Sequence, residues 1–217
     1  MSISNIQESS PDVREGRFSR TSFLRFCGWA AILGVVSAAL ANLIASGIVE
    51  DYSMVSQSIS ALAAGERSWI QDLGLYILAV GIAALALGLG AWQSHHRSWM
   101  MGVAALSLIA LDIVAIGFFH GYAKEDVSGT HLHTYAVYAL GLLFAATASL
   151  AGISLRRSEK RVSVFSFVIW FLWILSAPFF FSVPSSWFGL YERGLGLLLL
   201  AWICVMGWLL WNRNREA

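Results

Sequence analysis

Six apolar stretches, each long enough to cross a bilayer, constrain this chain more than any other feature. They run Phe26–Val49, Trp69–Trp92, Trp99–Phe119, His133–Leu155, Val162–Phe181 and Phe188–Trp211. A helix needs roughly 20 apolar residues to cross the hydrocarbon core. Backbone polar groups find no water there, so each segment must satisfy its own hydrogen bonds as a helix. The predicted fold is an all-α, polytopic integral membrane bundle of six transmembrane helices. Only 12% of the residues are charged, against 58% hydrophobic. A soluble domain carries about a quarter charged residues, so this chain has too few to clothe a water-facing surface. That excludes a disordered chain, a coiled coil and an ordinary soluble enzyme. The expected organisation is a polar tail over residues 1–25, a transmembrane domain over 26–211 and a short tail over 212–217. The polar stretch Met1–Arg20 is expected to be irregular.

Orientation follows from Lys and Arg. Of the 14 basic residues, only Arg67, Lys124 and Arg193 fall on one side; Arg14, Arg17, Arg20, Arg25, Arg97, Arg156, Arg157, Lys160, Arg161, Arg213 and Arg215 fall on the other. The positive-inside rule places both termini in the cytoplasm, as an even number of spans requires. Segment one has the basic flank and Ala39-Leu40-Ala41 site of a signal peptide. Its long polar lead and its run to Val49 favour a retained helix. A net charge of +1 argues against a nucleic-acid partner. Cys27 and Cys204 lie in apolar stretches without ligand spacing and are expected to pack. Trp69, Trp92, Trp99, Trp187 and Trp211 sit near span ends, as an aromatic belt would; Trp170, Trp173, Trp202 and Trp208 lie deeper and are expected to pack.

The unusual polar residues collect on the extracytoplasmic side. Between spans one and two, Ser53, Ser56 and Ser60 share one helical face, and Val55, Ile59 and Leu62 the other. A short interfacial helix over Ser53–Leu62 is predicted, capped by Asp51 or Ser53 and ended by Gly65. Its serines either solvate one face or turn inward over a polar pocket. No G-x-S-x-G elbow marks a nucleophilic serine.

Asp112 is the one ionisable side chain expected deep inside a span, about 10 Å below its outer end at ~1.5 Å per residue. A charge at that depth costs on the order of 2.5–3.5 kcal/mol, so Asp112 is expected to face the interior with a polar partner from another helix. His120 closes span three, and His131 and His133 open span four. Three imidazoles in one hairpin form a candidate site for a divalent transition metal such as zinc. An i, i+2 pair does not share a helical face, so one of His131 and His133 would join His120. Glu192 and Arg193 begin span six; being adjacent they diverge and need separate partners. Arg193 is a candidate to neutralise Asp112 or to hold an anionic group.

Asp51-Tyr52, Ile59-Ser60-Ala61-Leu62, the helix bearing Gly74, Gly81 and Gly88, Gly129 with His131 or His133, and Gly189-Leu190-Tyr191-Glu192-Arg193 before Trp202 occur in this order. In these pieces the chain resembles the bacterial and archaeal membrane proteins gathered as domain-of-unknown-function family 998, from about residue 26 to the end. The resemblance implies a six-helix fold in a bacterial or archaeal cytoplasmic membrane. It supplies no activity.

Two functions are in competition. One is a membrane-embedded enzyme or binding protein for an amphiphilic small molecule. Its candidate catalytic residues are Asp112, His120, His133, Ser60 and Glu192; its candidate substrate-binding residues are Arg193, Ser56 and Asp51; its candidate metal ligands are His120, His131 and His133. The other is a structural, assembly or regulatory subunit that packs against other membrane subunits through Gly34, Ala38, Gly81, Gly88, Gly141 and Gly152. A bis-histidine haem protein would need histidines inside two facing helices, and these lie at hairpin ends. Geometry divides the two main readings. A site requires the polar residues to converge on one cavity, whereas a subunit only needs them on a surface.

Overall fold

A computed structural model describes residues 12–63, 67–93, 96–120 and 127–212. Seven α-helices occur among them: α1 (Asp12–Ile48), α2 (Ile59–Ala63), α3 (Ser68–Trp92), α4 (Arg97–His120), α5 (Val127–Leu155), α6 (Lys160–Ser176) and α7 (Phe188–Asn212). A 3-10 segment, Ala177–Ser182, continues α6. No strand occurs among the described residues. Six helices are long and apolar enough to cross a membrane, and the short α2 lies between the first two. Large apolar side chains such as Val80, Leu87, Leu111 and Leu142 stay exposed along them, the pattern of helices whose outer faces meet lipid rather than water.

The tightest seam joins α1 to α3. On α1 the buried positions include Cys27, Ala31, Gly34, Ala38, Ala41 and Ala45; on α3 they include Gln71, Gly74, Leu78, Gly81, Leu85 and Gly88. Each set steps by alternate threes and fours, the spacing of a coiled-coil seam. Small residues on both sides let the backbones meet. A Cβ on Gly81 would lie 2.7 Å from the Ala30 carbonyl oxygen, and one on Gly34 would lie 3.1 Å from the Leu78 Cα. The start of α1 is tied to the end of α3, where Arg20 donates to the carbonyls of Ala91 (2.7 Å) and Trp92 (3.2 Å). Trp29 and Trp211 meet at a tilt of 50° with centroids 3.9 Å apart, so the first half of α1 and the end of α7 lie at one end of the bundle and α2 at the other.

From α1 the helices follow one another around the bundle in chain order, and α7 closes it against α1. At mid-depth Phe144 of α5 meets Trp173 of α6 and Trp202 of α7 edge to face, at 4.7 and 5.9 Å. The two indoles are satisfied: Trp202 donates to Ser166 Oγ (3.1 Å) and Trp173 to the Gly141 carbonyl (3.0 Å). Burial of such rings without a partner would be costly.

Several expectations are corrected. Helix α1 begins at Asp12, inside the stretch expected to be irregular. At ~1.5 Å per residue its 37 residues span about 55 Å, well beyond a bilayer core; adding residues to an existing helix avoids the cost of nucleation. Residues 1–11 and 213–217 lie outside those described, as does Gly65. The predicted helix over Ser53–Leu62 is shortened to Ile59–Ala63. Ser58, not Asp51 or Ser53, caps it, its Oγ accepting from the Ala61 N–H at 3.0 Å. Helix α5 starts at Val127, so His131 and His133 fall within it. Helix α6 stops at Ser176 because Pro178 has no N–H to continue it. Trp208 is 55% exposed rather than packed, and Trp99 is buried, donating to the Leu89 carbonyl at 3.0 Å.

Candidate functional site

The chain leaves α1 through a tight bend. Asp51 adopts a left-handed backbone (φ 59°), a conformation that Asp tolerates better than most residues. The next residues coil into a turn closed by the Gln57 N–H on the Ser53 carbonyl (2.8 Å) and by the Gln57 side chain accepting from the Ser53 N–H (2.8 Å). This turn sits on the first turn of α7. Gly189 permits the approach, since a Cβ there would collide with the Gln57 carbonyl oxygen. The Leu190 N–H donates to the Val55 carbonyl at 2.9 Å.

Glu192 and Arg193 then take different partners, as adjacent helical residues must. Arg193 makes five hydrogen bonds: to Tyr52 Oη (2.6 Å), to Asn42 Oδ1 (3.2 Å) and to the carbonyls of Met54 (3.0 Å), Gln57 (3.1 Å) and Gly189 (3.0 Å). Tyr52 in turn donates to the carbonyls of Gln57 (3.0 Å) and Ser58 (2.7 Å). Burial pushes the Tyr52 phenol above its usual pKa, against the pull of the Arg193 guanidinium, so the phenol keeps the proton it donates. Asn42 passes the network on to the buried Gln71, donating to its Oε1 at 3.4 Å. Glu192 Oε2 accepts from the Ile59 N–H at 2.7 Å and so holds the start of α2. One residue further, Ser60 Oγ stands 3.2 Å from His133 Nε2 on α5.

Beneath these groups lies a cavity of about 860 Å³. Asn42, Gln71, Ser60, His133, Glu192 and Arg193 line one end of it. The rest of the wall is apolar, with Leu75, Ile113, Leu140, Trp173, Leu195 and Leu199 among its residues. Gly141 and Gly196 also line it and have no atom within 4 Å of where a Cβ would stand, so they face open space. Several lining residues, including Leu43, Leu142, Ile174 and Leu197, are exposed on the outside of the bundle. The chamber therefore opens sideways, toward the surface that lipid covers. Its size falls in the range of about 300–1,000 Å³ typical of small-molecule sites.

The sequence candidates divide as follows. Ser60, His133, Glu192 and Arg193 are brought together on the cavity. Asp51 is exposed and Ser56 half-buried, and neither lines it. Asp112 also lies off its wall: Ile113 and Ile116 face the cavity, and Asp112 is turned ~100° from Ile113. Its Oδ2 is buried and meets no hydrogen-bond donor among the described residues, so the expected partner from another helix is not present for that oxygen. The proposed Arg193–Asp112 pairing is replaced by the Tyr52 and Asn42 contacts, because Arg193 turns over the α2 end rather than down the bundle. The side chains of His120 and His131 lie outside those described. Among the described residues no three of His, Cys, Asp and Glu gather as a metal would require.

Asn42, Gln71 and Tyr52 were missed as site residues. An amide inside an apolar run was the available signal for the first two, since polar groups at membrane depth need partners. Asp72, one turn into α3, was also missed as an acid within a span.

The fold and cavity define a multi-pass integral membrane protein whose six-span bundle holds an apolar chamber beneath a polar cluster. Residues 32–209 match the family described as "Protein of unknown function (DUF998)", and the chain belongs to that family. No curated protein and no solved structure matches it.

Proposed function

We propose that this protein binds an amphiphilic small molecule from the bilayer, with its apolar part in the chamber and its polar head against Ser60, His133 and Glu192. The single observation that carries this is convergence: four sequence-candidate polar side chains meet at one end of an otherwise apolar cavity of about 860 Å³. A subunit whose role was only to pack would not need them inside. The lateral opening suits a ligand already dissolved in lipid. Arg193 has spent its donors on the protein, so the head is better matched by a neutral or zwitterionic group than by a strong anion. The positive-inside rule assigns the α2 end to the extracytoplasmic side, where the head would be reached.

The test is extraction and mass analysis of what co-purifies with the protein in mild detergent. A bound amphiphile is expected in the native protein. It should be lost in Gly196→Phe, whose side chain starts in open cavity space with no atom within 4 Å of its Cβ. A well-folded native protein that carries no amphiphile and gains no thermal stability from added lipids would overturn the reading.

A further inference from the structure

Ser60 and His133 are 73 residues apart, on α2 and α5, and no turn or shared helix forces their contact. The tertiary fold alone brings the hydroxyl to Nε2, at the polar end of the cavity. We propose that this pair is a nucleophile and its general base, and that it hydrolyses a carboxylic ester of the amphiphile seated there. The proposal rests on the amphiphile-binding reading and adds a reaction to it.

The geometry supplies what such a pair requires. Ser60 lies on a short helix fixed at both ends, with Glu192 holding the Ile59 N–H at its start and Leu62 and Ala63 buried at its end. Its Oγ is therefore held in place relative to the imidazole. A proton on Nδ1 makes Nε2 the acceptor, which is the tautomer a base needs. A separation of 3.2 Å suits a resting pair that tightens when substrate binds. The apolar chamber takes the acyl chain and brings its carbonyl carbon to the polar end. Asn42 and Gln71 bring amide groups to the same wall.

The chemistry balances without an absent cofactor. Ser60 Oγ bonds to the ester carbonyl carbon while its proton passes to His133 Nε2. The carbon–alkoxy bond breaks, and the leaving oxygen takes that proton to depart as an alcohol. Water then attacks the acyl-serine and gives a proton to Nε2. The Oγ–carbon bond breaks, Ser60 recovers the proton, and a carboxylic acid leaves. Glu192 is a positioning residue here, acting through the start of α2.

The experiment treats the full-length protein in lipid nanodiscs with an alkyl fluorophosphonate and, separately, with the palmitoyl ester of p-nitrophenol. Phosphonylation mapped to Ser60, and ester hydrolysis, are expected. Both should fall by at least about 100-fold in Ser60→Ala and in His133→Gln, with melting temperature retained. Should either variant fail to fold, Ser60→Cys answers in its place, since the thiol should still form the acyl intermediate and be trapped as a thioester. An unmodified Ser60 in a native protein that carries its amphiphile sinks the hydrolase and leaves the binding reading intact. A native protein without amphiphile sinks the binding reading, and hydrolysis unaffected by Ser60→Ala sinks the pair.

Discussion

The guanidinium of Arg193 donates to the phenolic oxygen of Tyr52 over 2.6 Å, joining residues 141 positions apart. The same guanidinium sits 5.6 Å from the centroid of the Tyr52 ring, within the range of a cation–π contact. Through this one side chain the last span holds the first loop over the cavity. The serine that meets His133 hangs from that loop, so the latch and the candidate site share one support.

Arg193→Lys is expected to destabilise the protein by about 2 kcal/mol, because an ammonium cannot serve Tyr52, Asn42 and three carbonyls from one position. Tyr52→Phe should cost about 1 kcal/mol. The double variant should cost less than the sum of the two, since they share a contact. Reversible unfolding in mixed micelles measures all three. Additive losses would show that the two side chains are not coupled.

The α1–α3 seam should be intolerant of bulk. Gly81→Leu is expected to prevent folding, since even its Cβ meets the Ala30 carbonyl oxygen at 2.7 Å. Gly194→Ala on α7 should be neutral or stabilising by up to about 1 kcal/mol, because nothing lies within 4 Å of the added methyl and alanine favours helix. Yield of monodisperse protein after detergent extraction separates the two. Equal tolerance at both positions would contradict the seam.

Asp112→Leu should raise the melting temperature. Its Oδ2 is buried without a donor among the described residues, and a buried, unpartnered polar atom costs on the order of 1–3 kcal/mol. Asp112→Asn, which leaves a polar group in place, should change stability little. A fall in melting temperature with leucine would reveal a partner for the carboxyl.

Reporter fusions placed after Arg67 and Lys124 are expected to report the extracytoplasmic side, and those after Arg97 and Arg157 the cytoplasm. A cytoplasmic signal at Lys124 would invert the orientation and with it the side from which the α2 end is reached.

The spans were legible because each carries its own cause: a long apolar run has one stable form in lipid, and that form is local. The small residues Gly34, Ala38, Gly81 and Gly88 likewise marked places where helices could pack closely. The ends of elements were less legible. Helix α1 continues to Asp12 and α2 shrinks to Ile59–Ala63, since capping by Ser58 and docking of Gln57 on Gly189 are decided by contacts across the chain. Arg193 was a candidate to neutralise Asp112 or to hold an anionic group, and charge alone does not say which way a side chain turns.

By itself, then, the sequence determined an all-helical, six-span membrane bundle, its family and the polar residues gathered at one end, because hydropathy and helical periodicity act over neighbouring positions. Only the tertiary structure decided which of those residues meet. Ser60 faces His133, Glu192 holds Ile59, Arg193 latches Tyr52 and Asp112 stands apart from the chamber wall. Helix rotation and the course of one short loop set these pairings. Both are fixed by packing between segments far apart in the chain, where no local pattern records them.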